Sequence, residues 1–239
     1  MFANKTKLLY NNSMELQQVA NFINGRYLVT NLKADKRLIL KGNLLASYSV
    51  DSLGKSKNEK IYYDTPDFFF ADKGINIYTV SDGKSRELVI RYDSAQVQRI
   101  EFLKNTPNFF KVKIDKNDSI MKYSEQINEA IYKVFPEGLH VNIDDMLRSS
   151  SPRIRVFKKR DSYRVVNNKG LKVTMSFDIA DYFKIGTKAR FSQNNLDVVG
   201  DTFKSKDMFR EFLNSLIIDS PQLIKIDSNE LTFARKNLD

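Results

Sequence analysis

The chain has 239 residues, a formal net charge of +10 and no cysteine. The absence of cysteine excludes disulfides and thiolate metal sites, and the charge favours an anionic partner, such as phosphate compounds, nucleic acid or an acidic membrane surface. The sequence contains no run of about 18 apolar residues that would predict a membrane span, and no apolar signal-peptide core follows its basic N-terminus, so we expect a cytoplasmic protein.

The first predicted element is a helix that begins at Ser13, a capping residue, and ends near Ile23. Asn24-Gly25 follows as a stop signal. Residues 1–34 are therefore assigned to an N-terminal helical extension and residues 35–239 to a single domain. The helix either packs on that domain or serves as an interaction helix for a protein partner.

Strand signals start early in the predicted domain. A short strand is predicted at residues 27–30, and the first confident strand at residues 37–41, RLILK. Residues 44–50 continue the β pattern, whereas the polar residues 53–58 predict a loop.

The stretch of residues 59–104 organises the rest of the chain. Its aromatic and β-branched runs are separated by turn signals at residues 64–67, 72–74 and 81–83. Three runs, the last at residues 97–103, therefore predict hairpin-linked strands of an antiparallel sheet.

The later elements alternate between the two structure types. The clearest is a helix in which Ile120, Ile127 and Ile131 recur at helical spacing. The full series is a strand at 109–114, a helix at 119–135, a loop at 149–152, strands at 153–157 and 171–177 around a turn at 167–170, strands at 189–191 and 196–199, and a helix at 206–216.

Residues 152–190 concentrate positive charge, with eleven basic and three acidic side chains. Alternation along a strand places Lys158 and Arg160 on one face, and Lys172 and Thr174 on one face. If these faces turn inward in a closed barrel, they form a cationic lumen suited to a polyphosphate. The alternative is a solvated basic face.

The turn sequence Tyr-Tyr-Asp-Thr-Pro-Asp at residues 62–67 carries a resemblance to a known family. It is followed by Gly74, by an alternating strand and by an apolar strand that ends in the basic residue Arg91. This order resembles the CYTH superfamily, whose members are also called triphosphate tunnel metalloenzymes. The resemblance implies an α+β fold, an antiparallel β-barrel or tunnel with helices packed outside.

The C-terminal half is similar to the polyphosphate-polymerase (VTC-type) branch of that superfamily. Arg160 matches an arginine of the branch, and Lys172-Val173-Thr174 resembles its Arg-Val-Thr. Residues 196–199 stand where Leu-Glu-Val-Lys is expected, and residues 233–236 where a terminal Ser-Lys-Tyr is expected. The resemblance spans residues 35–236.

The departures from the family pattern concern its metal ligands. Active members carry a Glu-x-Glu-x-Lys strand whose carboxylates hold a divalent metal. Residues 37–41 take its place, so that Lys41 is retained while Arg37 and Ile39 replace both glutamates. The resemblance leaves Glu101 and Asp197 as metal candidates.

Glu87 and Asp178 are more distant candidates for the same metal site. A few scattered carboxylates make a weak site for the Mg²⁺ or Mn²⁺ on which phosphoryl transfer depends. No catalytic residue is therefore assigned, and Mg²⁺ or Mn²⁺ is expected as a cofactor only if the protein is active.

The resemblance therefore predicts a tunnel that binds triphosphate or polyphosphate with lost or weak catalysis, in a regulatory or scaffold protein. Two alternatives remain: an active metal-dependent triphosphatase or polyphosphate polymerase, and a basic nucleic-acid-binding β protein. The expected contacts to the polyanion are Lys41, Arg91, Lys113, Arg160, Lys172 and Arg190.

Overall fold

The computed structural model describes residues 24–92, 109–135, 139, 141–200 and 206–239. Within these ranges the chain forms nine β-strands and six α-helices. None of the helices in the described part is long and apolar enough to cross a membrane.

The strands and helices alternate unevenly along the chain. The strands are β1 (Asn24–Leu28), β2 (Ser49–Asp64), β3 (Ile75–Ser81), β4 (Arg86–Tyr92), β5 (Phe109–Ile114), β6 (Ser151–Val166), β7 (Lys172–Lys184), β8 (Arg190–Gly200) and β9 (Ile224–Lys225). The helices are α1 (Leu32–Lys41), α2 (Phe69–Asp72), α3 (Ser124–Val134), α4 (Ile143–Ser149), α5 (Lys206–Asp219) and α6 (Glu230–Leu238). Short 3₁₀ turns occupy Asn43–Ser47 and Ile120–Tyr123.

All nine strands belong to one sheet, in the order β5-β4-β3-β2-β6-β7-β8-β1-β9, and every neighbouring pair is antiparallel. The two longest strands, β2 and β6, have 16 residues each and pair along their full length at the centre of the sheet. The predicted antiparallel sheet is therefore confirmed.

The two faces of the sheet differ in chemistry because side chains alternate along each strand. On β6, Val156, Lys158 and Arg160 lie on the concave face, whereas Val165 lies on the convex face. The convex face is apolar at both ends and is covered by helices. The concave face carries most of the buried charges.

Two apolar clusters cover the convex face. In the first, Ile127 and Ile131 of α3 pack with Leu147 of α4 against the strands β3, β4 and β5. In the second, Phe212 and Leu216 of α5 pack with α1 against β7, β8 and β1.

The last helix lies on the opposite face. Leu231, Ala234 and Leu238 of α6 are buried against Tyr62 and Tyr182, which project from the concave face. The sheet is strongly curled around this helix without closing strictly into a barrel. The predicted α+β class with an antiparallel, tunnel-like sheet is confirmed, and all helices but α6 lie outside the curl of the sheet.

The turn after β2 is built around the carboxylate of Asp64. It accepts hydrogen bonds from the backbone N–H groups of Thr65, Phe70 and Ala71 and so caps the short helix α2. Gly74 then adopts φ of 73°, a left-handed conformation in which glycine avoids a steric penalty. One buried aspartate, Asp64, and one glycine, Gly74, thus account for the turns predicted at residues 64–67 and 72–74.

Residues 37–41, predicted as the first strand, are instead the end of α1. Asn31 caps this helix by accepting a hydrogen bond from the Ala34 N–H. Ile39 is 3% exposed whereas the adjacent Leu38 is 62% exposed. The run RLILK contains no residue that breaks a helix. The buried side chain of Ile39 anchors this helix in the second apolar cluster.

The boundary at residues 34/35 consequently falls inside α1, and β1 is an integral strand of the sheet. The predicted loop at 53–58 is part of β2, and the predicted strands at 189–191 and 196–199 merge into β8. The predicted helix ending near Ile23, the strand at 97–103 and Glu101 lie outside the described residues.

We expect Ile127→Asp to lower the free energy of unfolding by about 4 kcal/mol or more, because it buries an unpaired charge in the first apolar cluster. Ile127 is fully buried there. Chemical denaturation measures the loss. The matched control on the same helix is Tyr132→Asp, at a side chain that is 49% exposed, for which about 1 kcal/mol or less is expected. Equal losses would contradict this packing.

Candidate anion-binding site

A cavity of about 590 Å³ opens on the concave face beside α6. Its wall is strongly charged, with more basic than acidic side chains. The basic residues are Arg26, Lys60, Arg91, Lys158 and Arg160, and the acidic ones are Asp197, Asp227 and Glu230. Concave pockets of this size are the usual binding sites for small ligands.

Glu230 is the acidic residue that α6 contributes to this wall. It is the first residue of the helix, and Asn229 caps the helix by accepting a hydrogen bond from the Thr232 N–H. Its carboxylate lies 2.5 Å from Lys158 Nζ and 2.7 Å from Lys60 Nζ. A carboxylate at a helix N-terminus is also favoured by the helix dipole.

Two further contacts fix this carboxylate. The Tyr62 hydroxyl donates a hydrogen bond of 2.8 Å to it, and Arg26 Nη2 lies 3.8 Å away. One carboxylate from α6 thus contacts basic groups on β1, β2 and β6, which is possible only because the sheet curls around it.

The other acidic groups come from the sheet itself. Arg160 binds Asp178 in a bidentate pair, with N–O distances of 2.7 and 2.6 Å, and also contacts Asp197 at 2.9 Å. Arg26 Nε donates to Asp197 at 2.8 Å. Register explains these contacts, because Arg160 pairs with Asp178 across β6 and β7, and Arg26 pairs with Asp197 across β1 and β8.

Lys158 lies at the centre of these acids. Its side chain is 1% exposed, and Nζ is 3.6 Å from Asp178, 3.7 Å from Asp197 and 2.5 Å from Glu230. Four cations and three carboxylates therefore form one continuous ionic cluster, defined here as Arg26, Lys60, Lys158, Arg160, Asp178, Asp197 and Glu230.

The charges of the cluster shift the pKa values of two of its carboxylates. Burial by itself raises the pKa of Glu230, but the charges of Lys158, Lys60 and Arg26 outweigh burial and hold that pKa well below its usual value. The pKa of Asp197 is lowered in the same way by Arg26, Lys158 and Arg160. Both carboxylates are therefore ionised at neutral pH.

Lys60 shifts in the opposite direction. Burial lowers its pKa to about 8, against the attraction of Glu230 and together with the repulsion of Lys158. Its charge consequently changes just above neutral pH.

Arg91 differs from the other cations of the wall. It projects from β4, is exposed, and forms no ion pair with the described residues. It therefore supplies positive charge that is not paired with any carboxylate in the described part of the chain.

The carboxylates of the cluster are poorly suited to a divalent metal. In the described part of the chain, no group of three or more His, Asp or Glu side chains is arranged to hold one. Asp178, Asp197 and Glu230 each already contact basic side chains. The residues present therefore do not fit the metal site implied by the family resemblance.

The structure places the predicted site residues in two groups. Arg91, Arg160 and Asp197 line the cavity, and Asp178 lies directly behind its wall. The predicted anion contacts outside the cavity, all exposed, are Lys41, Lys113, Lys172 and Arg190. Glu87 pairs with Lys111 at the edge of the sheet instead of joining the cluster.

Local geometry explains the position of three of the four predicted anion contacts that lie outside the cavity. Lys41 ends a helix and not a strand. Lys172 alternates onto the concave face, but it is the first residue of β7, six positions from Asp178. Six residues correspond to about 20 Å along a strand. Arg190 alternates onto the opposite face from Phe191, which stacks on Tyr182.

Sequence reasoning missed three members of the cluster: Arg26, Lys60 and Glu230. Arg26 and Lys60 carried a usable signal, since each is a basic residue inside an alternating strand. Glu230 carried none, because its partners Lys158, Tyr62, Lys60 and Arg26 lie between 72 and 204 residues away in the sequence.

Two solved structures share this fold. A presumed adenylate cyclase from Bacillus halodurans aligns with a TM-score of 0.52 and 11% identity, over 90% of this chain and 97% of that one. A presumed adenylyl cyclase from Hippeastrum, described as having a dominant triphosphatase activity, aligns with a TM-score of 0.50 and 10% identity, over 90% and 95%. No family model and no curated protein matches the sequence. The likeness shows the fold, which is the one that the CYTH resemblance implied.

We expect Glu230→Gln to destabilise the protein by about 3 kcal/mol, because it leaves the buried ammonium group of Lys158 and the half-buried one of Lys60 without their nearest anion. Urea denaturation at pH 7 measures this loss. Glu211→Gln, at an exposed position of α5, is the matched control and should change stability by about 0.5 kcal/mol at most. If the two variants were equally stable, the cluster would not hold α6 in place.

Proposed function

We propose that this chain is a CYTH-type tunnel domain that binds a phosphorylated polyanion, triphosphate or a short polyphosphate, with weak or lost catalysis. It then acts as a regulatory or scaffold protein. The observation that carries the proposal is the cavity wall, in which five basic side chains face three acidic ones on the concave face of the curled sheet.

The chemistry of these side chains favours phosphate oxygens. Guanidinium groups bind such oxygens through two parallel N–H bonds, and ammonium groups add point charge. Arginine carries five donors and lysine three, so Arg26, Lys60 and Arg160 retain donor capacity beyond their carboxylate contacts. Arg91 adds a charge without an ion pair among the described residues.

The distribution of charge favours a polyvalent over a monovalent ligand. Arg91 on β4, Lys60 on β2 and Arg160 on β6 line the same cavity from different strands. A chain of linked phosphates can contact several of them at once, whereas a single phosphate reaches fewer, and each added contact in a partly enclosed site contributes more than it would in water.

Weak catalysis is supported by the state of the carboxylates. Phosphoryl transfer commonly relies on metal ions that bridge the phosphates and are held by carboxylate oxygens. In this cluster the carboxylates of Asp178, Asp197 and Glu230 are bound to arginine and lysine instead. The triphosphatase activity described for the Hippeastrum protein supports the ligand class but not turnover in this chain.

We expect triphosphate to raise the melting temperature of the protein more than the same concentration of monophosphate does, because ligand that binds only the folded state stabilises it. Differential scanning fluorimetry in low salt is the measurement. A lack of stabilisation by any polyanion would contradict the proposed function. Rapid release of phosphate from triphosphate with Mg²⁺ or Mn²⁺ would instead contradict weak or lost catalysis.

Arg91→Ala should weaken triphosphate binding about tenfold, the effect of losing one charge-assisted contact of about 1.5 kcal/mol. Its exposure makes a folding defect unexpected. The control is Lys172→Ala, which removes an exposed cation outside the cavity. Isothermal titration calorimetry should find unchanged affinity in that control, and equal weakening in both variants would indicate binding to diffuse surface charge.

Triphosphate affinity should also fall as pH rises through the Lys60 pKa of about 8. If the complex requires the ammonium form, the protonated fraction falls about tenfold between pH 7 and pH 9, and affinity falls with it. Lys60→Met lacks this titrating group, so its affinity should be lower at pH 7 and should not show the same loss. The ligand's own ionisation is identical in both titrations, and parallel pH profiles would exclude Lys60 as a contact.

A further inference from the structure

We propose that the Lys158 ammonium is the resident cation of this site and takes the place of a divalent metal, so that polyanion binding is independent of metal. The inference rests on the proposed function and extends it to the way in which the carboxylates of the site are used.

The position of Lys158 is the first argument. Three carboxylates from three different elements, β7, β8 and α6, approach a single nitrogen atom at 3.6, 3.7 and 2.5 Å. The side chain that carries this atom is 1% exposed. Carboxylate oxygens are the ligands with which proteins hold Mg²⁺ or Mn²⁺, but here the three carboxylates surround an ammonium group instead.

The match between donors and acceptors is the second argument. An ammonium group has three N–H donors and no acceptor. Lys158 faces three acceptor groups, Asp178, Asp197 and Glu230. Its three donors therefore suit three acidic neighbours, of which Glu230 lies closest at 2.5 Å, whereas Asp178 and Asp197 are ion-pair contacts at 3.6 and 3.7 Å.

The surrounding charges are the third argument. Arg160 and Arg26 contact the same acids from the other side, at 2.6 to 2.9 Å, and Lys60 contacts Glu230 at 2.7 Å. Four cations already balance three carboxylates in this cluster. A divalent ion would add two charges beside them, and its repulsion by the buried cations would oppose binding.

A built-in cation changes what the carboxylates do. In a metal site they hold an ion that contacts the phosphates. Here they hold Lys158 in place, while Arg26, Lys60 and Arg160 line the same cavity. The positive charge needed for a polyanion is therefore permanent and does not depend on the metal concentration.

The test compares triphosphate binding by the wild-type protein in EDTA and in Mn²⁺, using calorimetry. We expect wild-type binding to persist in EDTA. Lys158→Met leaves three carboxylates facing a common point without their central cation. This variant should bind triphosphate at least about tenfold more weakly in EDTA, and Mn²⁺ should recover affinity relative to the wild type. The variant and the wild type are compared in the same mixture of Mn²⁺ and triphosphate. Formation of Mn²⁺–triphosphate in solution therefore affects both affinities equally and cancels in their ratio.

A second variant keeps the test independent of the folding of Lys158→Met, and a direct titration adds a readout of metal binding itself. Lys158→Arg retains a cation and should bind triphosphate in EDTA without any gain from Mn²⁺. Direct titration with Mn²⁺ alone should give no binding to the wild type and measurable binding to folded Lys158→Met.

The outcomes separate this inference from the proposed function. Wild-type binding that disappears in EDTA and returns with Mn²⁺ would overturn the role of Lys158 and leave the polyanion site intact. Undiminished binding by Lys158→Met in EDTA would do the same. Failure of the wild type to bind triphosphate under either condition would overturn the proposed function itself.

Discussion

The constraint on which this structure depends is the mutual compensation of buried charges on the concave face of the sheet. Lys158 and Asp178 are almost fully buried, and Glu230 is 5% exposed. Burying an isolated ion costs several kcal/mol, whereas an ion with well-placed partners recovers most of that cost. Each member of the cluster is thus acceptable only because the others are present. The curl of the sheet, the position of α6 and the shape of the cavity are linked by the same ion pairs.

Apolar burial on the convex face offsets the free-energy cost of burying these charges. The two apolar clusters of that face bury side chains from every described helix except α6, together with the strand residues that these helices cover. Burial of apolar surface is the main stabilising term in folding. The inner face can therefore hold polar and charged groups that contribute little net stability. Stability and ligand binding are divided between the two sides of one sheet, which is a common division between scaffold and site.

Sequence patterns predict the features that depend on neighbouring residues. They do not predict features that depend on contacts between residues far apart in the chain. The turn at Asp64 and the pairing of β6 with β7 follow from local turn and strand signals. Arg160 was predicted because it matches an arginine of the family pattern and shares a strand face with Lys158. The run at residues 37–41 has apolar residues suited to strand or helix, and only packing of Ile39 under the sheet selects the helix. Glu230 has no local signal, since its role is set by strands far away in the sequence.

The same long separations govern how the domain folds. Arg26 and Asp197 are 171 residues apart, and Lys60 and Glu230 are 170 apart. Contacts between distant residues require costly loop closure, and sheets dominated by them fold slowly. During synthesis, β2 and β6 can pair long before α6 leaves the ribosome, so that Lys60 lacks its counterion, and Lys158 its nearest carboxylate, until Glu230 arrives. The inner face of this domain is therefore completed after translation has passed that residue, and charge neutralisation is the late event in its assembly.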